Sequence, residues 1–189
     1  MSVPVPEAAL NDGGWTHAKN RSRTVFEGVG VSVRAETAIY EDADLRERIA
    51  AAGGPDRVWR FFFSSRLAVS PSPPLLETGG RPHAVRESKQ DFADELRDRG
   101  IEAVSAGDTQ SVRVGSAKAA LTPFYGTVDA DGATVDVVGA LALWYEDGFL
   151  VAGGAYPSDG VERWVDVAPD AFETELLSLI RATAETAQT

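Results

Sequence analysis

The chain contains no cysteine. This excludes a disulfide framework, a Cys-ligated zinc, an iron–sulfur cluster and a thiol nucleophile. Its only histidines are His17 and His83, and no H-E-x-x-H spacing joins them. Neither G-x-S-x-G nor G-x-x-x-x-G-K-[ST] occurs, so the sequence offers no nucleophile elbow and no phosphate loop. No run of about 18 apolar residues is present, and no membrane-spanning helix is expected. Met1–Leu10 lacks a basic stretch followed by an apolar one. No signal peptide is expected from it, and the expected address is the cytoplasm.

Lysine is also scarce. Of 18 basic residues only Lys19, Lys89 and Lys118 are lysines, against 29 acidic residues and a net charge of −11. Such an excess repels itself at low ionic strength. At about 1 M salt, where the Debye length is about 3 Å, that repulsion is screened. The composition therefore suits a salt-rich cytoplasm, and its field opposes nucleic-acid phosphates, so no nucleic-acid partner is expected. With 189 residues, 43% hydrophobic and 25% charged, the chain is long enough to bury roughly 70% of its unfolded surface as one domain.

Residues 1–14, with Pro4, Pro6, Gly13 and Gly14, read as a flexible tail before a single domain over 15–189. Period-two alternation marks a short strand at 15–19 and a longer one at 23–40, with a turn or bulge at Gly28 and Gly30. A helix over 42–52 is capped by Asp42 or Asp44, carries the Leu45–Ile49 pair, and is stopped by Gly53-Gly54. The strand over 57–69 sets Trp59, Phe61, Phe63, Leu67 and Val69 on one face. Arg60, Phe62, Ser64 and Arg66 take the other. Residues 71–86 hold Pro71, Pro73, Pro74, Gly79, Gly80 and Pro82 and read as a long loop. A helix at 88–99 buries Phe92 and Leu96, with Glu95 and Arg99 paired on the wet side. Strands follow at 101–105, 110–114, 117–128, 133–146 and 149–156, with hairpin turns at Asp129–Gly132 and Asp147-Gly148. The strand at 133–146 is apolar on both faces, which marks it as central. Pro169 opens the last helix, 169–185, with Phe172, Leu176, Leu177 and Ile180 as its buried stripe. Tight turns between neighbours require antiparallel pairing. The expected class is α+β, a central antiparallel sheet with helices packed on its faces.

Few residues ask for a chemical role. Asp129, Asp131 and Asp136 lack the spacing of a calcium loop and read as turn chemistry. No catalytic residue, metal ligand or cofactor is assigned, and the protein is read as a non-enzyme. Arg34, Arg60, Ser64 and Arg66 fall on one sheet face, where guanidiniums hold an anion bidentately or pair with the many acids. Leu75 and Leu76, between prolines and glycines, suit a lid or docking segment. These six residues form the candidate ligand or partner surface.

The helix at 88–99, the strands to 156 with glycine turns after the long ones, and a terminal helix holding Leu179-Ile180-Arg181 carry a resemblance. Over residues 20–185 this order of elements resembles the PsbP-like fold, shared by a photosystem extrinsic protein and a nucleotide-release factor for the Ran GTPase. The chain also looks like a haloarchaeal family of unknown function. The resemblance implies action through surfaces. The expected function is binding or assembly with a protein partner through the sheet face and the 71–86 loop, with weak self-association. The alternatives are a small-ligand carrier with an apolar pocket beneath Arg60 or Arg66, and a hydrolase without a recognised motif.

Overall fold

The computed structural model describes residues 2–28, 30–70 and 76–189. Helix α1 (Glu7–Asp12) precedes a hairpin of β1 (Thr16–Gly28) and β2 (Val31–Glu41). Helix α2 (Ala43–Ala51) leads to β3 (Phe61–Ser70), and α3 (Leu76–Asp98) leads to the short β4 (Glu102–Ala106) and β5 (Gln110–Val114). The long strands β6 (Ala117–Ala130), β7 (Ala133–Tyr145) and β8 (Phe149–Asp159) follow, and α4 (Pro169–Ala187) ends the chain. All eight strands join one sheet in the order β1-β2-β3-β8-β7-β6-β4, with β5 also paired to β6. Every pairing is antiparallel. The α+β expectation, an antiparallel sheet carrying helices, therefore holds. Among the described residues no helix is long and apolar enough to cross a membrane.

Turn chemistry explains the hairpins. Asp131 and Gly132 both take positive φ, as do Asp147 and Gly148, the geometry that matches the twist of antiparallel strands. The Asp129 carboxylate accepts from the Gly132 N–H at 3.0 Å, so that acidic cluster is a turn, as its sequence suggests. Asp42 caps α2, accepting from Leu45 N–H at 3.0 Å.

The sheet is covered on both faces. Phe92 of α3 packs over Phe61, Phe63 and Phe124, with ring centroids 6.3, 5.7 and 4.9 Å away. On the opposite face α4 lays Phe172, Leu176, Leu179 and Ile180 into the core. Strand β8 lies between these layers and is buried from Phe149 to Pro157, as expected of a strand with neighbours on every side. Gly154 lets the layers close. A Cβ there would lie inside contact distance of the Phe61 carbonyl oxygen and 3.0 Å from Leu176 Cδ1.

Four expectations differ from the structure. The segment read as a tail forms α1, and Leu10 is 1% exposed, because its apolar side finds α4. The strand read over 23–40 is two strands, with the turn at Gly28 and Gly30. Residues 57–60 stand outside β3. The loop read over 71–86 is helical from Leu76 onward and runs through Pro82; residues 71–75 lie outside the described ones. A proline this far into a helix removes one backbone bond. Here Arg81 Nη2 donates to the Lys118 carbonyl at 2.7 Å, and Ala84 and Val85 pack on the core. These contacts offset the lost bond.

Candidate ligand-binding groove

Of the six residues singled out from sequence, the four arginine and serine positions lie within the described residues and divide between exposed and buried. Register places Arg34 opposite Ala68 and Glu36 opposite Arg66, so Arg34, Ser64 and Arg66 share the face that carries α4. Arg34 is exposed, Ser64 is fully buried, and Arg66 is half-buried with its Nε on the Ser2 carbonyl at 3.2 Å. Leu76 begins α3, its side chain outside the described set, and Leu75 lies outside the described residues altogether.

Arg60 is structural. It is 4% exposed and forms ion pairs with Asp42 at 2.8 Å and Glu175 at 2.6 Å. The Trp15 and Phe172 rings lie over its guanidinium, with centroids 4.6 and 4.2 Å away. Trp15 Nε1 also donates to Glu175 at 2.9 Å. This cluster ties the end of α1, the cap of α2, the approach to β3 and the middle of α4. Neither Arg60 nor Ser64 presents a surface to a partner.

The open space lies on the other side of the same strand. Between α3 and the β1–β3 end of the sheet runs a groove of about 580 Å3, within the roughly 300–1,000 Å3 typical of ligand pockets. Its floor is apolar: Val33, Ala35 and Ile39 of β2, Phe61, Phe63, Leu67 and Val69 of β3, and Phe149 and Val151 of β8. This groove runs beside strand 57–69 beneath Phe63, on the other face from Arg60 and Arg66, beneath which the sequence predicts a pocket.

The pattern of α3 explains why the described residues leave this space open. Its seat on the sheet is made by Phe92 and Leu96, both buried. The stripe above β1–β3 is Ala84, Glu87, Ser88, Asp91, Glu95 and Asp98, spaced by three and four and so on one side of the helix. Small or acidic side chains cannot close-pack on Val, Ile and Phe, because burying unpaired carboxylates costs far more than the contact returns. The helix is held at its edge by charge instead. Arg21 and Arg23 of β1 reach Glu95 at 2.9 Å and Asp91 at 2.7 Å. Arg99 binds Glu95 at 2.9 Å and lies 3.8 Å above the Phe61 ring. All three arginines of the groove are thus engaged with acids.

Two hydroxyls interrupt the floor. Thr37 Oγ1 and Ser65 Oγ hydrogen-bond across β2 and β3, and both line the groove. Sequence reasoning passed over them, and over the acids of α3 as wall residues. The legible signal was an acidic stripe at 87, 91, 95 and 98 on a helix whose other stripe is Phe92 and Leu96.

Glu95 is the electrostatic centre of this edge. Burial pushes its carboxyl up, but the Arg21 hydrogen bond and the charges of Arg99 and Arg21 pull it down further. Its pKa ends below the ordinary value. A carboxyl held low in the folded state contributes stability above its unfolded pKa, about 4.3, and loses it as pH falls through the folded one. Glu95→Gln is therefore expected to be less stable than the parent at pH 7 by urea unfolding. The gap should close as pH drops below about 4. A gap that stays constant down to strong acid would refute the assignment.

The chain belongs to the family described as a domain of unknown function (DUF6517), whose match spans residues 2–184. No curated protein matches the chain.

Proposed function

We propose that this member of a family without an assigned activity is a carrier or binding protein for a small apolar ligand, held in the groove between α3 and strands β1–β3. The observation that supports this reading is the mismatch between an apolar floor and an acidic helix stripe enclosing about 580 Å3. Close packing is the rule in protein interiors, and an apolar gap of this size is costly unless something occupies it. The assembly reading drew on the sheet face with Arg34, Arg60, Ser64 and Arg66 and on the 71–86 loop; burial removes two of these four residues from any surface, and residues 71–75 lie outside the described ones. That shifts the weight to the carrier.

The PsbP-like reading of the fold is kept as part of the proposal. Its support is an antiparallel sheet with α3 and α4 on opposite faces. A salt-rich cytoplasm is proposed from the net charge of −11.

The test is a plug. Leu67 lines the floor and is half-buried, so Leu67→Trp fills the groove from a tolerant position. Titration with N-phenyl-1-naphthylamine, a neutral apolar fluorophore, should show saturable binding to the parent and at least a tenfold loss in the variant. Native mass spectrometry of the freshly isolated parent should show a co-purifying apolar molecule that the variant lacks. Equal fluorophore binding by both folded proteins would overturn the assignment of the groove.

A further inference from the structure

We infer that the ligand is electrically neutral, a lipid-like molecule with a single hydroxyl or carbonyl group, anchored at the Thr37–Ser65 pair. This inference rests on the carrier reading and adds the chemical class.

Charge decides against an anionic head group. Five acids line the groove against three arginines, and Arg21, Arg23 and Arg99 are each committed to acids on α3. A carboxylate or phosphate entering there finds no unpaired arginine among the described groove residues and faces the α3 stripe. It would have to break an existing pair or stay unpaired, and either is costly away from water. A cationic head would be drawn to the acids of the α3 wall, of which Asp91 and Glu95 already hold arginines, and not to the floor, whose polar atoms are the Thr37 and Ser65 hydroxyls.

The hydroxyl pair supplies what a neutral polar group needs. A hydroxyl has one hydrogen to donate and two lone pairs to accept with. Whichever of Thr37 and Ser65 donates to the other, the acceptor's own hydrogen is left over. Neither side chain has a further hydrogen-bond partner among the described residues. One donor and several acceptor sites therefore stand in an otherwise apolar floor, and Ser65 is 6% exposed. An alcohol satisfies both sides and a ketone accepts the leftover hydrogen, whereas a pure hydrocarbon leaves that hydrogen unused.

The experiment is a competition at about 0.1 M salt, where charge is felt over about 10 Å. Bound N-phenyl-1-naphthylamine is displaced from the full-length protein by decanol, decanoate or decyltrimethylammonium, which share a chain and differ in head group. Decanol should compete at a concentration at least roughly tenfold below either ion. Ser65→Ala should weaken decanol by roughly threefold to tenfold relative to the fluorophore's affinity for the same variant, since a hydroxyl head loses its partner there. Decanoate or the ammonium competing as well as decanol would overturn the neutral class while leaving the carrier reading intact. Ser65→Ala without effect on decanol would overturn the anchor. If the fluorophore does not bind at all, the carrier reading falls and this inference falls with it.

Discussion

Arg60→Ala lowers the melting temperature by on the order of 10 °C. The guanidinium is 4% exposed, between Asp42 and Glu175 and between two aromatic rings. Removing the cation of a buried ion cluster leaves the buried Asp42 carboxylate without its counter-charge and deprives the partly exposed Glu175 of its own, which costs about 3–5 kcal/mol. For a chain of this length each kcal/mol moves the midpoint by roughly 2–4 °C. The loss is larger than that of the side chain alone, because Asp42 also caps α2 and Glu175 also accepts from Trp15. Arg60→Met combined with Asp42→Asn and Glu175→Gln removes the stranded charges together with the cation. It should recover much of the midpoint, since replacing an entire buried ion set is often close to neutral. Thermal unfolding of both variants beside the parent checks the pair. A shift under about 2 °C for Arg60→Ala, less than 1 kcal/mol, would show that the cluster contributes little.

Phe92→Ala has a comparable cost and a second consequence. The ring is 3% exposed and packs against three phenylalanines, and truncation of such a side chain typically costs about 3–5 kcal/mol. Phe92 is also the seat of α3, next to Gly139, where a Cβ would come within 3.2 Å of the ring. With that half of the seat gone, the helix is held over β1–β3 by Leu96 and by the exposed pairs from Arg21 and Arg23, each pair worth only about 0–1 kcal/mol. The variant should therefore unfold at lower urea and also lose fluorophore binding under conditions where it is still folded. Phe92→Leu, which keeps most of the volume, should retain binding with a smaller stability loss. Unaltered binding by folded Phe92→Ala would separate the groove from the position of α3.

Local rules made much of this fold readable before its coordinates. Asp42 announced α2, Pro169 announced α4, and Asp147-Gly148 announced the β7–β8 hairpin, because each meets a need within four residues of itself. The helix over 76–86 was hidden for the converse reason. Gly79, Gly80 and Pro82 all disfavour helix locally, and what holds the segment is contact with residues far along the chain, Lys118 among them. The proposed groove lies on the face of β3 opposite Arg60, Ser64 and Arg66. Alternation along β3 correctly separated Phe61, Phe63 and Leu67 from Arg60, Ser64 and Arg66. It says nothing of which face a helix will cover, and the polar face was the natural one to leave open. Instead α4 and its aromatic partners enclose Arg60, and the apolar face meets the acidic side of α3. The Glu95–Arg99 pair, legible as an i,i+4 contact, was read as facing water when it borders the groove.

The Arg60 cluster also sets when the protein can be finished. Its members are far apart in sequence, and the bond from Trp15 to Glu175 spans 160 positions. Such distant closures slow folding. On a ribosome adding about 5–20 residues per second, the first turn of chain waits on the order of ten seconds for its mate. Until α4 emerges, Leu10, Trp15 and the apolar underside of β8 stay uncovered, so the newborn chain is most vulnerable to misassociation just before that helix appears.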